Sequence, residues 1–111
     1  MGVTKSNLFT NEQNELASFA KGFSHPARIA IIQFLIMKND CFNGDLVQEL
    51  GLAQATVSQH LRELKDIGII QGTIEGSRIS YCINPARWEE IKGEFNEIFN
   101  QFDTPSSGNC C

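Results

Sequence analysis

A chain of 111 residues with 41% hydrophobic and 20% charged side chains describes one folded domain and excludes a disordered segment. A core this small is modest, so some stability shared with a second copy is expected. The net charge of −4 opposes non-specific attraction to nucleic-acid phosphates, which Lys and Arg supply.

The opening "MGVTKSNLFTNEQNEL" has no apolar run after Lys5, so no signal peptide is expected. The longest apolar stretch, "IAIIQFLIM", is interrupted by Gln33 and too short to span a bilayer. These features predict a cytoplasmic protein without a membrane partner. Its cysteines Cys41, Cys82, Cys110 and Cys111 should then be free thiols under reducing conditions.

Thr10 and Gln13 have capping-box spacing, and Leu16, Phe19, Ala20 and Phe23 recur at helical intervals, predicting a first helix over 10–22 with Gly22 as its stop. Pro26 suits the first turn of a second helix, "HPARIAIIQFLIMK", with His25 as its cap. Ile29, Ile32, Leu35 and Ile36 give that helix a stripe. Ile31 and Phe34 widen it until it reads as apolar nearly all round and central to the core.

"GDLVQEL" is then a short helix, Gly51 breaks the chain, and "QATVSQHLRELKDIG" begins another. In the last of these Val57, Leu61 and Leu64 share one face, while Gln54, Ala55, Ser58, Gln59 and Arg62 lie on the other, a helix-turn-helix pattern. Residues 53–61 contain no acid, unlike an ordinary solvated face. Gln54, Thr56, Ser58, Gln59 and Arg62 are side chains that read base edges or grip phosphates. Ala53 precedes this helix without a capping hydroxyl, and His60 flanks the buried face as a partly buried residue that orders the helix. The acids Asp45, Glu49, Glu63 and Asp66 are expected to lie off the contact surface.

"GIIQGTIEGSRISYCIN" switches to strand chemistry with a bend at Glu75-Gly76-Ser77, so a β-hairpin wing follows, carrying Arg78 at its tip. Strand alternation sets Cys82 opposite Tyr81, as a small packing thiol. Asn84-Pro85 starts a last helix to residue 102, where Trp88, Ile91, Phe95, Ile98 and Phe102 form a narrow a/d seam suited to helix pairing. The fold class is therefore α+β, mainly α: a winged helix-turn-helix of order ααααββα over residues 10–102. An extension (1–9) precedes it and a Ser/Gly/Asn tail (103–111) ends it.

The stretches "HPARIAIIQFL", "GDLVQELGLAQATVSQHLRELKDIGII" and "GSRISYCIN" resemble the ArsR/SmtB family of bacterial winged-helix regulators. The resemblance implies a homodimer through the helices at 10–22 and 85–102, bound to a palindromic operator in double-stranded DNA and released by a metal or metalloid. Arsenical members carry Cys-Val-Cys-Asp-Leu before the recognition helix. Here Phe42 and Gly44 fill the thiol positions and only a displaced Cys41 remains. The last helix has acids but no His, unlike zinc-sensing members. The closing Cys110-Cys111 pair resembles members with terminal cysteines, and its sulfurs suit a thiophilic inducer such as As(III), with Cys41 as a third ligand. The seven residues between Phe102 and Cys110 span at most roughly 23 Å, enough to fold back on Cys41.

Two alternatives stay within the fold: oxidation or persulfide chemistry at Cys41, Cys110 and Cys111, and ligand-independent DNA binding. Without a Cys-x-x-Cys motif, a phosphate-cradling loop or a Cys/His/Asp grouping, the chain does not read as an enzyme.

Overall fold

The computed structural model describes residues 8–102. Most of the expected extension and the whole tail, with Cys110 and Cys111, lie outside the described residues. Helix α1 (Asn11–Lys21) begins at a reciprocal cap: the Gln13 amide donates to Thr10 Oγ1 and the Thr10 amide to Gln13 Oε1, both at 3.0 Å. Gly22 ends it, as expected, but in right-handed geometry at φ −65° that any residue could adopt. The reason for glycine there is contact, because a Cβ would overlap the Ile69 side chain.

Helix α2 (Pro26–Lys38) starts under His25, whose Nδ1 accepts the Ala27 amide at 2.9 Å. Ala27, Arg28, Ile31, Ile32 and Leu35 are buried. Ile36 and Met37 are exposed, so the helix is not apolar inward all round and instead leaves an apolar flank open. Asn39 closes it in the left-handed region at φ 55°.

Helices α3 (Leu46–Leu50) and α4 (Gln54–Ile67) follow. Asp45 caps α3, while α4 lacks any side-chain cap at Ala53. Strands β1 (Ile70–Glu75) and β2 (Arg78–Ile83) pair antiparallel, from Ile70 opposite Ile83 to Glu75 opposite Arg78. Gly76, at φ 65°, supplies the left-handed backbone that a two-residue hairpin requires. Helix α5 (Pro85–Asn100) begins at Asn84, whose Oδ1 accepts the Arg87 amide.

The core gathers Phe19, Ile31, Ile32, Leu35, Leu46, Val57, Leu61, Leu64, Ile69, Ile70 and Ile91 from every element but β2, so the helix-turn-helix packs directly on α2. Helix α5 packs on α1, with Phe23 edge-on to Phe95 and near Trp88. Of its predicted seam, Ile91 is buried, Trp88 and Phe95 are half-buried, and Ile98 and Phe102 are exposed, joined by exposed Phe99, Leu8 and Phe9. The α1–α5 contact also raises the Glu94 carboxyl above its usual range. The causes are a hydrogen bond to Glu15, then desolvation, then the negative charges of Glu15, Glu97 and Glu12. The folded chain therefore binds this proton more readily than the unfolded one, and the packing gains stability as pH falls through the raised value.

The largest departure from expectation concerns two cysteines. Between α2 and α3 the backbone of Phe42 pairs with Tyr81 through two bonds of 2.9 Å, forming a single antiparallel bridge onto β2. In that register the neighbours Cys41 and Cys82 face each other at a non-hydrogen-bonded position, where strands approach most closely. Their Cα atoms are 4.3 Å apart and they form a disulfide. Cys82 is thus not an isolated packing thiol, and Cys41 in this form is not a free ligand for a metal. A cross-link of sequence separation 41 removes unfolded-chain freedom worth about 4 kcal/mol in the chain-entropy account.

Because Ala53 already has extended geometry with φ −66° and ψ 148°, Ala53→Ser should supply the missing cap. Urea unfolding is expected to show a gain of about 1 kcal/mol.

Candidate nucleic-acid interface

Helix α4 turns one face to the core through Val57, Leu61 and Leu64, all buried, and the helical repeat then directs the opposite face outward. Gln54, Ala55, Gln59 and Arg62 are exposed on it, and Ser58 is half-buried, with its Oγ accepting from Gln54 Nε2 at 2.9 Å. Thr56 is half-buried on the flank, at the margin of this surface rather than its centre. Lys65 extends the same face seven residues beyond Ser58. Its ammonium reaches the wing, within 3.5 Å of where a Cβ on Gly72 would sit. The spacing from Ser58 carries that signal in the sequence, though the acid-free window of 53–61 stops short of it.

A groove separates α4 from α3 and β2, lined by Asp45, Gln54, Ser58, Arg62, Lys65, Asp66 and Tyr81. Two acids expected off this surface therefore sit along it. Asp45 is occupied as a cap, accepting the amides of Val47 and Gln48, while Asp66 is exposed beside Lys65. Glu49 is exposed on α3. Glu63 points away, toward α2. At the wing, Arg78 is exposed but engaged: its Nη1 donates to the Asn43 carbonyl at 3.3 Å. The wing tip also exposes Ile74 and Ile79, which face each other across the strands.

What holds α4 in place is a buried cation that sequence reading passes over. Arg28 is 7% exposed. Its Nε donates to His60 Nδ1 at 3.0 Å, its Nη1 to the Lys21 carbonyl at 2.7 Å, and its Nη2 lies 3.4 Å from Glu63 Oε2. One guanidinium thereby ties the end of α1 and the start of α2 to two successive turns of α4. His60 is buried, more deeply than the partly buried position expected of it. Desolvation lowers its pKa first, with His25 and Arg28 adding to the shift and Glu63 opposing it. The neutral ring accepts at Nδ1, so its proton resides on Nε2.

Among the described residues no three His, Cys, Asp or Glu side chains are grouped to hold a metal ion. The sequence-predicted ligands Cys110 and Cys111 lie outside the described residues, and Cys41 is bonded to Cys82.

Residues 25–71 match the family model described as bacterial regulatory protein, arsR family. The biofilm growth-associated repressor of Xylella fastidiosa is 30% identical over 86 residues, covering 78% of this chain and 75% of that protein. The crystal structure of the transcriptional repressor BigR from Xylella fastidiosa superposes with a TM-score of 0.61 at 27% identity, over 93% of this chain and 100% of that one. The cadmium metal-sensor CMTR from Mycobacterium tuberculosis gives 0.54 at 26% identity, over 86% and 96%.

Arg28→Met takes the guanidinium away from His60 and Glu63, and because Glu63 is 30% exposed and keeps Lys21 at 3.9 Å the cost falls at the lower end for a broken buried pair, about 3 kcal/mol by urea unfolding. His60 gives a pH signature. Its folded pKa lies below its unfolded value of about 6.5, so its contribution is complete above that pH and is lost as pH falls through the folded value. His60→Gln, which keeps an acceptor for Arg28, should flatten the fall in unfolding free energy below about pH 6.5.

Proposed function

Since the chain belongs to the ArsR family of bacterial regulatory proteins, we propose that it is a cytoplasmic, homodimeric transcriptional repressor that reads a palindromic operator and is released by a thiophilic metalloid or metal such as As(III). The observation that carries the DNA-reading part is the exposed, acid-free polar face of α4 from Gln54 to Arg62, flanked by the wing. Gln54, Ala55, Thr56, Ser58, Gln59 and Arg62 contact base edges and phosphates in the major groove, and Lys65 and Arg78 grip the backbone beside it. The duplex is thus met by cations at the edges and neutral donors at the centre, while Glu63 is withdrawn toward Arg28.

The dimer uses α1 and α5. Exposed Phe99 and Phe102, with half-exposed Ile98, leave an apolar surface at the end of α5 that an isologous contact covers. A two-fold pair places two copies of α4 in successive major grooves, about 34 Å apart along the duplex.

For the inducer, support comes from the chemistry of adjacent sulfurs at Cys110 and Cys111 and from a structural relative that senses cadmium. Cys41 enters such a site only after its bond to Cys82 is reduced. That bond favours a second reading of the same fold, in which thiol oxidation or persulfide chemistry sets operator affinity.

Binding to DNA upstream of the protein's own gene tests both parts. The intact chain should bind it more tightly than scrambled DNA, with affinity falling steeply with salt, and Arg62→Ala should weaken it by about tenfold or more. As(III) should release the intact chain but not one cut after Phe102, with Sb(III), Cd(II) and Zn(II) ranking its selectivity. Equal release from both chains removes the tail from the sensing site, and equal affinity for every duplex removes operator reading.

A further inference from the structure

We propose that Cys41 and Cys82 form a thiol–disulfide switch that clasps the wing to the connector ahead of the helix-turn-helix, with the oxidised protein as the tight operator-binding state. The inference rests on the DNA-reading function above and deepens it by naming the bond that regulates it.

The two sulfurs close a loop running from Cys41 to Cys82, and that loop encloses α3, α4, β1 and β2. Every element proposed to touch DNA lies inside it; the proposed dimer helices α1 and α5 lie outside. The clasp therefore sits where the reading module leaves and rejoins the scaffold. Beside it, the non-covalent links between connector and wing are few: the two Phe42–Tyr81 backbone bonds and the exposed Arg78–Asn43 bond. One bridge of this kind is a weak, fraying contact. With the disulfide intact, the short antiparallel pairing is held in register. Without it, β2 is held to the connector by those few hydrogen bonds and by the half-buried packing of Phe42 and Tyr81.

The link runs from the clasp to the DNA face. Phe42 is fixed to α2 by an edge-on contact with Phe34, with ring centroids 4.9 Å apart. Tyr81, its partner across the bridge, lines the groove shared with Gln54, Ser58 and Arg62. Loosening Cys82 frees the residue next to that groove. An oxidised module arrives at DNA with wing and α4 already in fixed relation and loses less freedom on binding.

The bond is also reachable. Cys41 is exposed, with its amide donating to Asp40 Oδ1 at 2.7 Å, and Cys82 is half-buried along a surface groove bordered by Trp88 and Glu89. A disulfide in the proposed cytoplasmic setting is exchanged rather than permanent. In reduction, the thiolate of a low-molecular-weight thiol attacks the Cys41 sulfur, forming a mixed disulfide and expelling Cys82, which takes up a proton. A second such thiol attacks the small-molecule sulfur and releases Cys41. Two thiols become one small-molecule disulfide, two electrons reach the protein, and two protein thiols form. A low-molecular-weight disulfide such as glutathione disulfide drives the reverse.

The test uses the full chain, poised with glutathione disulfide or with excess dithiothreitol, and fluorescence anisotropy on DNA upstream of its own gene. The oxidised protein should bind about tenfold more tightly, the gain expected from preorganisation. By reciprocity that DNA should lower the reduction potential of the pair by about 30 mV. The redox dependence should vanish in Cys82→Ser. In the wild-type chain, amide exchange at Phe42 and Tyr81 should speed up on reduction, whatever the fate of the variant. Equal affinity in the two states, tighter binding when reduced, dependence surviving in Cys82→Ser, or unchanged exchange at those amides each overturns the switch. Absence of any preference over scrambled DNA in both states instead overturns operator reading, and the switch with it.

Discussion

A guanidinium taken out of water must find partners for its donors, and the position of Arg28 makes two other elements supply them. The Lys21 carbonyl comes from the end of α1, the His60 nitrogen and the Glu63 carboxylate from consecutive turns of α4, while the side chain itself rises from the first turn of α2. Aliphatic packing of Val57, Leu61 and Leu64 decides which face of α4 is buried, but hydrophobic contact is non-directional and tolerates rotation and sliding. Hydrogen bonds do not. The polar cluster fixes the azimuth of α4, and with it the direction in which Gln54, Ser58 and Arg62 point. His60 remains neutral for the same reason: protonation at Nδ1 would set two cations donor to donor in a buried site.

The acidic balance of the chain becomes intelligible once individual carboxylates are followed. Asp45 is occupied with the first amides of α3, Glu63 with Arg28 and Lys21, and Glu12, Glu15, Glu94 and Glu97 gather where α1 meets α5. Net charge sums over the whole surface, but a duplex docked on α4 lies within a screening length of only part of it. Asp66 is the exception, exposed on the groove next to Lys65, where it offsets that cation's charge.

Much of this architecture was legible in the residues because local chemistry and tertiary demand coincide. Thr10 with Gln13, Asn84 with Pro85, and the 57/61/64 spacing each specify an element through interactions within a few residues. Gly76 does so for the wing. What stayed hidden depends on partners distant in the chain. Arg28 in "HPARIAIIQFL" looks like a solvent-facing cation until His60 is brought within 3.0 Å of it. Alternation along β2 tells which side Cys82 occupies, but not that a loop residue 41 positions earlier is registered against it. Apolar Ile36 and Met37 could not be sorted from Ile31 and Ile32 by periodicity, since nearly every neighbour on α2 is apolar. Gly93 has open space around it within the chain, so nothing in the structure explains its place in α5.

The missing side chain at Gly22 has one more effect. There the end of α1 touches Ile69, the residue that hands the chain from α4 to the wing, with no room for even a methyl group between them. The atom in the way is Cδ1, the free end of the Ile69 side chain, so a methyl group at position 22 would push that end aside within a fully buried site. The bare backbone at position 22 therefore sets how closely the end of α1 can approach the junction between α4 and the wing.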